Sequence, residues 1–260
     1  MITGKPLLAT FTIVALAVGA MRAQQPVQRA QQPVPRAQQS VQIEPAAMSA
    51  LHTMGAYLRS LKSFQVEAVT STEDVLEDGQ KVQFAGVTNV LARMPNRLRI
   101  TVASDRRDRV YVYDGKEFTL LAKRVNYYAT VPAPPTIGEL ANLVNEKFNI
   151  ELPLEDLFRW GGKQSQDAVI RSAMFVGPSA IGGVTCGHYA FRQDGLDWQV
   201  WIQMGDHPLP RKLVLTTMDD EARPQYVATF TWNLGPSFND AAFTFTPPKG
   251  ASKVVLAGVK

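Results

Sequence analysis

Gly195-Leu-Asp-Trp-Gln-Val-Trp-Ile-Gln-Met204 decides the fold class. Leu196, Trp198, Val200, Ile202 and Met204 alternate with Asp197, Gln199, Trp201 and Gln203, and Trp201 is the one large apolar residue on the polar side. A side-chain period of two belongs to a strand with one dry and one wet face. Gly205-Asp-His-Pro-Leu-Pro210 turns the chain, and Arg211 to Met218 and Gln225 to Trp232 follow as strand-like runs. In the second, Tyr226, Ala228, Phe230 and Trp232 alternate with Val227, Thr229 and Thr231. Three strands in succession predict an antiparallel meander with one strongly aromatic face. What covers that face is the functional question.

Upstream, Ala173 to Val176 and Val184 to Arg192 read as two further strands. Downstream, Phe238 to Pro248, with Phe243 and Phe245 before Pro247-Pro248, reads as a closing edge. Before the meander lies a helical insert. Thr136-Ile-Gly-Glu139 matches a capping box, and Ile137, Leu140, Val144 and Phe148 form a helical stripe. A second short helix is expected after Pro153, through Leu154, Leu157, Phe158 and Trp160. So greasy an insert must rest on something, and the aromatic sheet face is the candidate.

The first half repeats the pattern. Ala47, Leu51, Met54, Leu58 and Leu61 lie on one stripe of a helix expected over 46–61. Phe64, Val66 and Ala68 then alternate with Gln65 and Glu67, and Leu98, Ile100 and Val102 with Arg97, Arg99 and Thr101. Asp78-Gly79 and Asp114-Gly115 mark tight hairpins. Val82 to Leu91, Val110 to Tyr113, Phe118 to Leu121 and Tyr127 to Val131 complete the first run of strands.

Residues 1–23 read as a cleavable secretory signal, with Lys5, the apolar run Leu7 to Val18 and small residues at Val18-Gly-Ala20 or Ala23. An uncleaved anchor is the alternative. The apolar run is short for a span, which needs about 20 residues. No cysteine follows it for lipid attachment. Residues 24–44 carry the rest of a seven-residue Ala-Gln-Gln repeat that starts at Ala23, with prolines and one valine per unit. So little to bury cannot offset ordering entropy, and the segment is expected to be a disordered tether. The domain itself is expected over 45–256.

The 260 residues are 45% hydrophobic and 19% charged, an ordinary globular balance. The net charge of +4 is scattered, with one cluster at Arg106-Arg107-Asp-Arg109, so no nucleic acid is expected as partner. With one cysteine, Cys186, the core alone must hold the fold. No nucleophile elbow, phosphate loop, dinucleotide fingerprint or zinc-protease motif is present, and no cofactor or metal is expected. Cys186-Gly-His188 is the best catalytic pair, but a strand puts both side chains rigidly on one face. His52 beside the first helix, His207 in its turn, and Asp219-Asp-Glu221 at a hairpin tip read as surface features.

The order of elements resembles the LolA/LolB-like lipoprotein-carrier fold, and more closely the DUF2092 family of secreted bacterial proteins. The carrying residues are Leu58-Arg-Ser-Leu-Lys-Ser-Phe64, Arg93-Met-Pro-Asn-Arg-Leu-Arg99, Tyr113-Asp-Gly-Lys116, Asp197-Trp-Gln-Val-Trp-Ile202, Pro208-Leu-Pro-Arg-Lys212 and Phe243-Thr-Phe-Thr-Pro-Pro-Lys-Gly-Ala251. The resemblance implies an α+β, mainly β fold: a curved antiparallel half-barrel with helices over its concave face.

The expected function is non-enzymatic binding of a hydrophobic ligand (lipid, acyl chain or lipidated protein) in the periplasm or outside the cell. Trp198, Val200, Ile202, Tyr226, Phe230, Trp232, Leu98 and Ile100 are the expected lining. The alternative is an interaction or envelope-sensing domain with a filled core, contacting an envelope protein. A remote third is an enzyme using Cys186 and His188. No membrane span is expected in the mature chain.

Overall fold

The computed structural model describes residues 42–162 and 167–258. The expected signal segment and nearly all of the repeat lie outside them. Gln42 to Glu44, read from the sequence as the end of the tether, pair with a sheet edge. The Glu44 amide donates to the Ala173 carbonyl, the Ala173 amide donates to the Gln42 carbonyl, and Ile43 bridges Ala173.

Helix α1, Pro45–Ser60, matches the expected stripe, with Ala47, Leu51, Met54 and Leu58 buried. Gly55 is also buried, on the same side. A Cβ there would stand 2.9 Å from the Gly161 backbone, so glycine lets helix and loop touch.

Six strands follow: β1 Ser63–Val75, β2 Lys81–Arg93, β3 Arg97–Ser104, β4 Asp108–Tyr113, β5 Glu117–Ala122 and β6 Tyr127–Pro132. Two helices come next. In α2, Ile137–Phe148, Thr136 accepts the Glu139 amide at 3.3 Å and donates its hydroxyl to the Glu139 carboxylate at 2.8 Å. The capping pair therefore closes side chain to side chain as well as onto the backbone. α3 is a single turn, Asp156–Arg159. The expected meander is the last part of β7 Ser172–Ile181, β8 Val184–Gln193, β9 Leu196–Gln203, β10 Pro210–Thr217 and β11 Gln225–Asn233.

The strands form one open, curved sheet in the order β12-β6-β5-β4-β3-β2-β1-β11-β10-β9-β8-β7, with β12 spanning Ser252–Lys253. β1 joins the halves, pairing Val66 with Val90 of β2 on one side and with Trp232 of β11 on the other. All strand pairs are antiparallel except β12 with β6. The helices lie on one face, as the resemblance implied, and share one core with Phe64, Val66, Leu98, Ile100, Tyr113, Phe118, Val200 and Phe230.

Phe238 to Pro248 does not form the expected closing strand. Asp240–Phe243 is a 3₁₀ turn, and the tail crosses the outer face of the sheet. Phe243 is fully buried beneath Arg93, whose guanidinium lies 5.3 Å from its ring and pairs with Asp240. Phe245 joins Tyr128 over Val110, Val112 and Leu121, a second small core. Aromatics spaced by two were read as a strand, but they plug an outer face that already exposes apolar side chains.

Candidate functional site

Along β1 the helix-facing side chains change character. Phe64, Val66 and Ala68 are buried, whereas Thr70, Thr72 and Asp74 border a cavity. Register carries this boundary across the sheet. Val66 stands opposite Val90 and Trp232, while Thr72 stands opposite Phe84 and Tyr226. The cavity, about 570 Å³, lies between this end of the sheet and the chain from Glu151 through α3 to Trp160. Buried Thr88, Tyr111, Leu213 and Phe230 line its floor on the sheet, and buried Leu152 and Leu157 face them from the cover. Exposed Thr72, Arg106, Arg107 and Glu151 mark its rim. Arg106 is held by Asp74 and lies 4.9 Å from the centre of the Phe84 ring. A second cavity of about 100 Å³ continues beneath α1 and shares Asp156, Trp160, Leu213 and Leu215 with the first.

The expected lining residues divide between these sites and the packed core. Tyr226 and Phe230 border the large cavity. Trp198 borders the small one and an outer groove beside β7, and it stacks on Phe191 at 4.1 Å. Val200, Ile202, Leu98 and Ile100 are buried and border neither cavity. Trp232 packs on Phe64, and its indole N–H donates to the Pro210 carbonyl at 2.8 Å. Alternation told which face these residues share, but not how far along the strands the helices extend. The sequence signal for the open end was the step from Phe-x-Val-x-Ala to Thr-x-Thr-x-Asp on β1.

The electrostatics concentrate on α3. Glu155 Oε1 pairs with Arg159 at 3.2 Å. Burial pushes the Glu155 carboxyl above its ordinary range, against the pull of Arg159. Burial likewise raises the Asp156 carboxyl. Asp156 is nevertheless exposed, like Glu151 on the same stretch. It borders both cavities, so its carboxyl is open to their volume. Tyr226 is pushed up to about 12, first by burial and then by the nearby Asp156 carboxylate.

Cys186 and His188 share the outer face, as strand geometry requires. Cys186 is fully buried with Trp201 and Val214, its thiol donating to the Val184 carbonyl at 3.4 Å, and burial raises its pKa. The His188 ring stacks on Trp201 at 3.9 Å and hydrogen-bonds Gln199, and burial lowers its pKa. Neither residue borders the cavities just described. Trp201, the exception on the polar face, is thereby explained: His188 and the Lys212 ammonium, 4.9 Å from the ring centre, cover it. His52 bonds Asp167 at 3.0 Å, and the Tyr57 hydroxyl meets His207 Nδ1 at 2.6 Å. Among the described residues no three His, Cys, Asp or Glu gather as metal donors, and no helix is long and apolar enough to cross a membrane.

No curated protein matches the sequence significantly. Among solved structures, the chain is similar to an uncharacterized conserved protein from Thermus thermophilus, with 12% identity over 81% of this chain and 99% of the other and a TM-score of 0.46. It is also similar to the lipoprotein LppX of Mycobacterium tuberculosis, at 11% identity over 75% and 100% with a TM-score of 0.39. A LolA superfamily protein from Nitrosomonas europaea matches at 11% identity over 76% and 97% with a TM-score of 0.35. The family model described as "Predicted periplasmic protein (DUF2092)" matches residues 47–257, and the chain belongs to the DUF2092 family.

Proposed function

We propose that the protein is a non-enzymatic carrier or receptor for a lipid, an acyl chain or the acylated end of a lipoprotein, exported by residues 1–23 and spaced from its surroundings by 24–41. The observation that carries this reading is the cavity of about 570 Å³ between sheet and α3. Its volume falls within the roughly 300–1,000 Å³ of small-molecule sites. Its walls of Phe230, Leu213, Leu157 and Tyr111 suit hydrocarbon, and its rim of Arg106, Arg107 and Glu151 suits a polar end. The alternative, an envelope-sensing domain with a filled core, needs a packed interior throughout, and the cavity weighs against it. The remote enzymatic alternative needs Cys186 or His188 in an open cleft, and their packing on the outer face weighs against that.

Protein purified from the periplasm of a Gram-negative host is expected to carry co-purifying lipid in native mass spectrometry. Delipidated protein is expected to change its tryptophan emission on adding long-chain acyl compounds, with the response lost in Trp160→Phe. Absence of lipid together with unresponsive emission would sink the proposal.

A further inference from the structure

The turn of α3 carries polar groups that the protein leaves unmatched. Glu155 Oε2 and Arg159 Nε are buried and meet no hydrogen-bond partner. The Asp156 carboxyl and the Tyr226 hydroxyl form no hydrogen bond or ion pair with any described residue. The nearest cation on the turn, Arg159, is turned to Glu155. Asp156 sits in the wall common to both cavities, with the apolar side chains of Trp160, Leu213 and Leu215. Tyr226 lines the larger cavity within electrostatic reach of it.

A carboxylate without a protein donor in the wall of a cavity must keep a partner when a ligand displaces water from it, and a bound group that donates hydrogen bonds supplies one. An ammonium adds charge complementarity, and a hydroxyl supplies a neutral donor. A second carboxylate would instead set like charges side by side. Glu151, on the same stretch, adds to that repulsion, while Arg159, already paired with Glu155, opposes it. The rival attraction for an anion is Arg107 at the rim, since Arg106 is already held by Asp74.

We propose that Asp156, with Tyr226 beside it, is the polar anchor of the cavity and selects amphipathic ligands whose head group donates hydrogen bonds, a hydroxyl or an ammonium, over free fatty acids. This rests on the reading of the cavity as a ligand site. Hydrocarbon then runs from α3 along Leu213, Leu215 and Phe230, and the head group meets the acid at the turn.

Three probes with the same chain separate the two claims: hexadecanol, hexadecylamine and hexadecanoate, titrated at neutral pH into the delipidated mature chain and followed by tryptophan emission and native mass spectrometry. The alcohol and the amine are expected to bind about tenfold more tightly than the carboxylate. Asp156→Leu is expected to bring all three within about threefold of one another, mainly by improving the carboxylate. Asp156→Asn, nearly isosteric, is expected to keep the alcohol and lose the advantage of the amine, and it carries the test should Asp156→Leu not fold. Three equal affinities in the unaltered protein, a preference for hexadecanoate, or an order that survives both substitutions overturns the anchor while leaving the carrier reading standing. Failure of all three probes to bind overturns both.

Discussion

The two ends of β1 face the same helical layer with opposite results. At one end Phe64 packs between Phe158 and Trp232, with Val66 and Ala68 beside it at zero exposure. At the other end Thr70, Thr72 and Asp74 face open volume. Both ends belong to one continuous strand with one unbroken register to β2 and β11. The backbone therefore does not make the cavity. It arises where the cover thins from α1 and α2 to the single turn of α3, and the side chains on the sheet change from Phe, Val and Ala to Thr, Thr and Asp in step. A strand face sealed along half its length holds the fold, and the remaining half is free to serve a guest.

The largest effect should fall on the sealed end. Phe64→Ala is expected to cost about 3–5 kcal/mol of unfolding free energy in a denaturant titration, because packing on both sides prevents collapse of the hole. A cost below about 1 kcal/mol would show that this end is as loose as the other. Next is the contact that seats the cover. Gly55→Leu drives a side chain into the Gly161 backbone and should cost about 1–3 kcal/mol while enlarging the response of the cavity to acyl probes. Filling the open end tests the converse. Leu215→Trp should weaken binding of hexadecanol at least about tenfold with little change in the unfolding midpoint. A large fall in stability would mean that this end, too, is tightly packed.

Smaller effects sharpen the comparison. Thr136→Ala removes the cap of α2 and should cost about 1 kcal/mol. Asp156 gives the weakest and most specific signal. Its folded pKa lies above the ordinary 3.8, so the folded state binds more protons than the unfolded state between those two values. Stability is therefore fully retained below 3.8 and falls as pH rises through the raised folded value. Asp156→Asn should flatten that fall in a pH series of thermal midpoints. A profile unchanged by the substitution would place the carboxyl in water.

Much of the fold could be read from single residues. Leu196 to Met204, with its period of two, gives a strand because side chains alternate across a pleat, and β9 spans Leu196–Gln203. Thr136 and Glu139 mark a helix start because the first amides need acceptors, and α2 begins at Ile137. The cavity was readable only in part. Tyr226 and Phe230 were identified through their face, but Leu98, Ile100, Val200 and Ile202 share that face and are sealed. Phase along a strand reports the side of the sheet and is silent on what lies above each position. Phe243 and Phe245 misled for the same reason, since a spacing of two also suits a tail that docks on an outer face.

The sequence by itself determined the elements, their amphipathic faces and their caps, since these depend on neighbours a few residues apart. Tertiary structure alone decided where Gly55 meets Gly161, where the helical cover ends above β1, and that Asp156 faces a recess beside Tyr226. Each of these depends on groups far apart in the chain, and no local period encodes the distance between them.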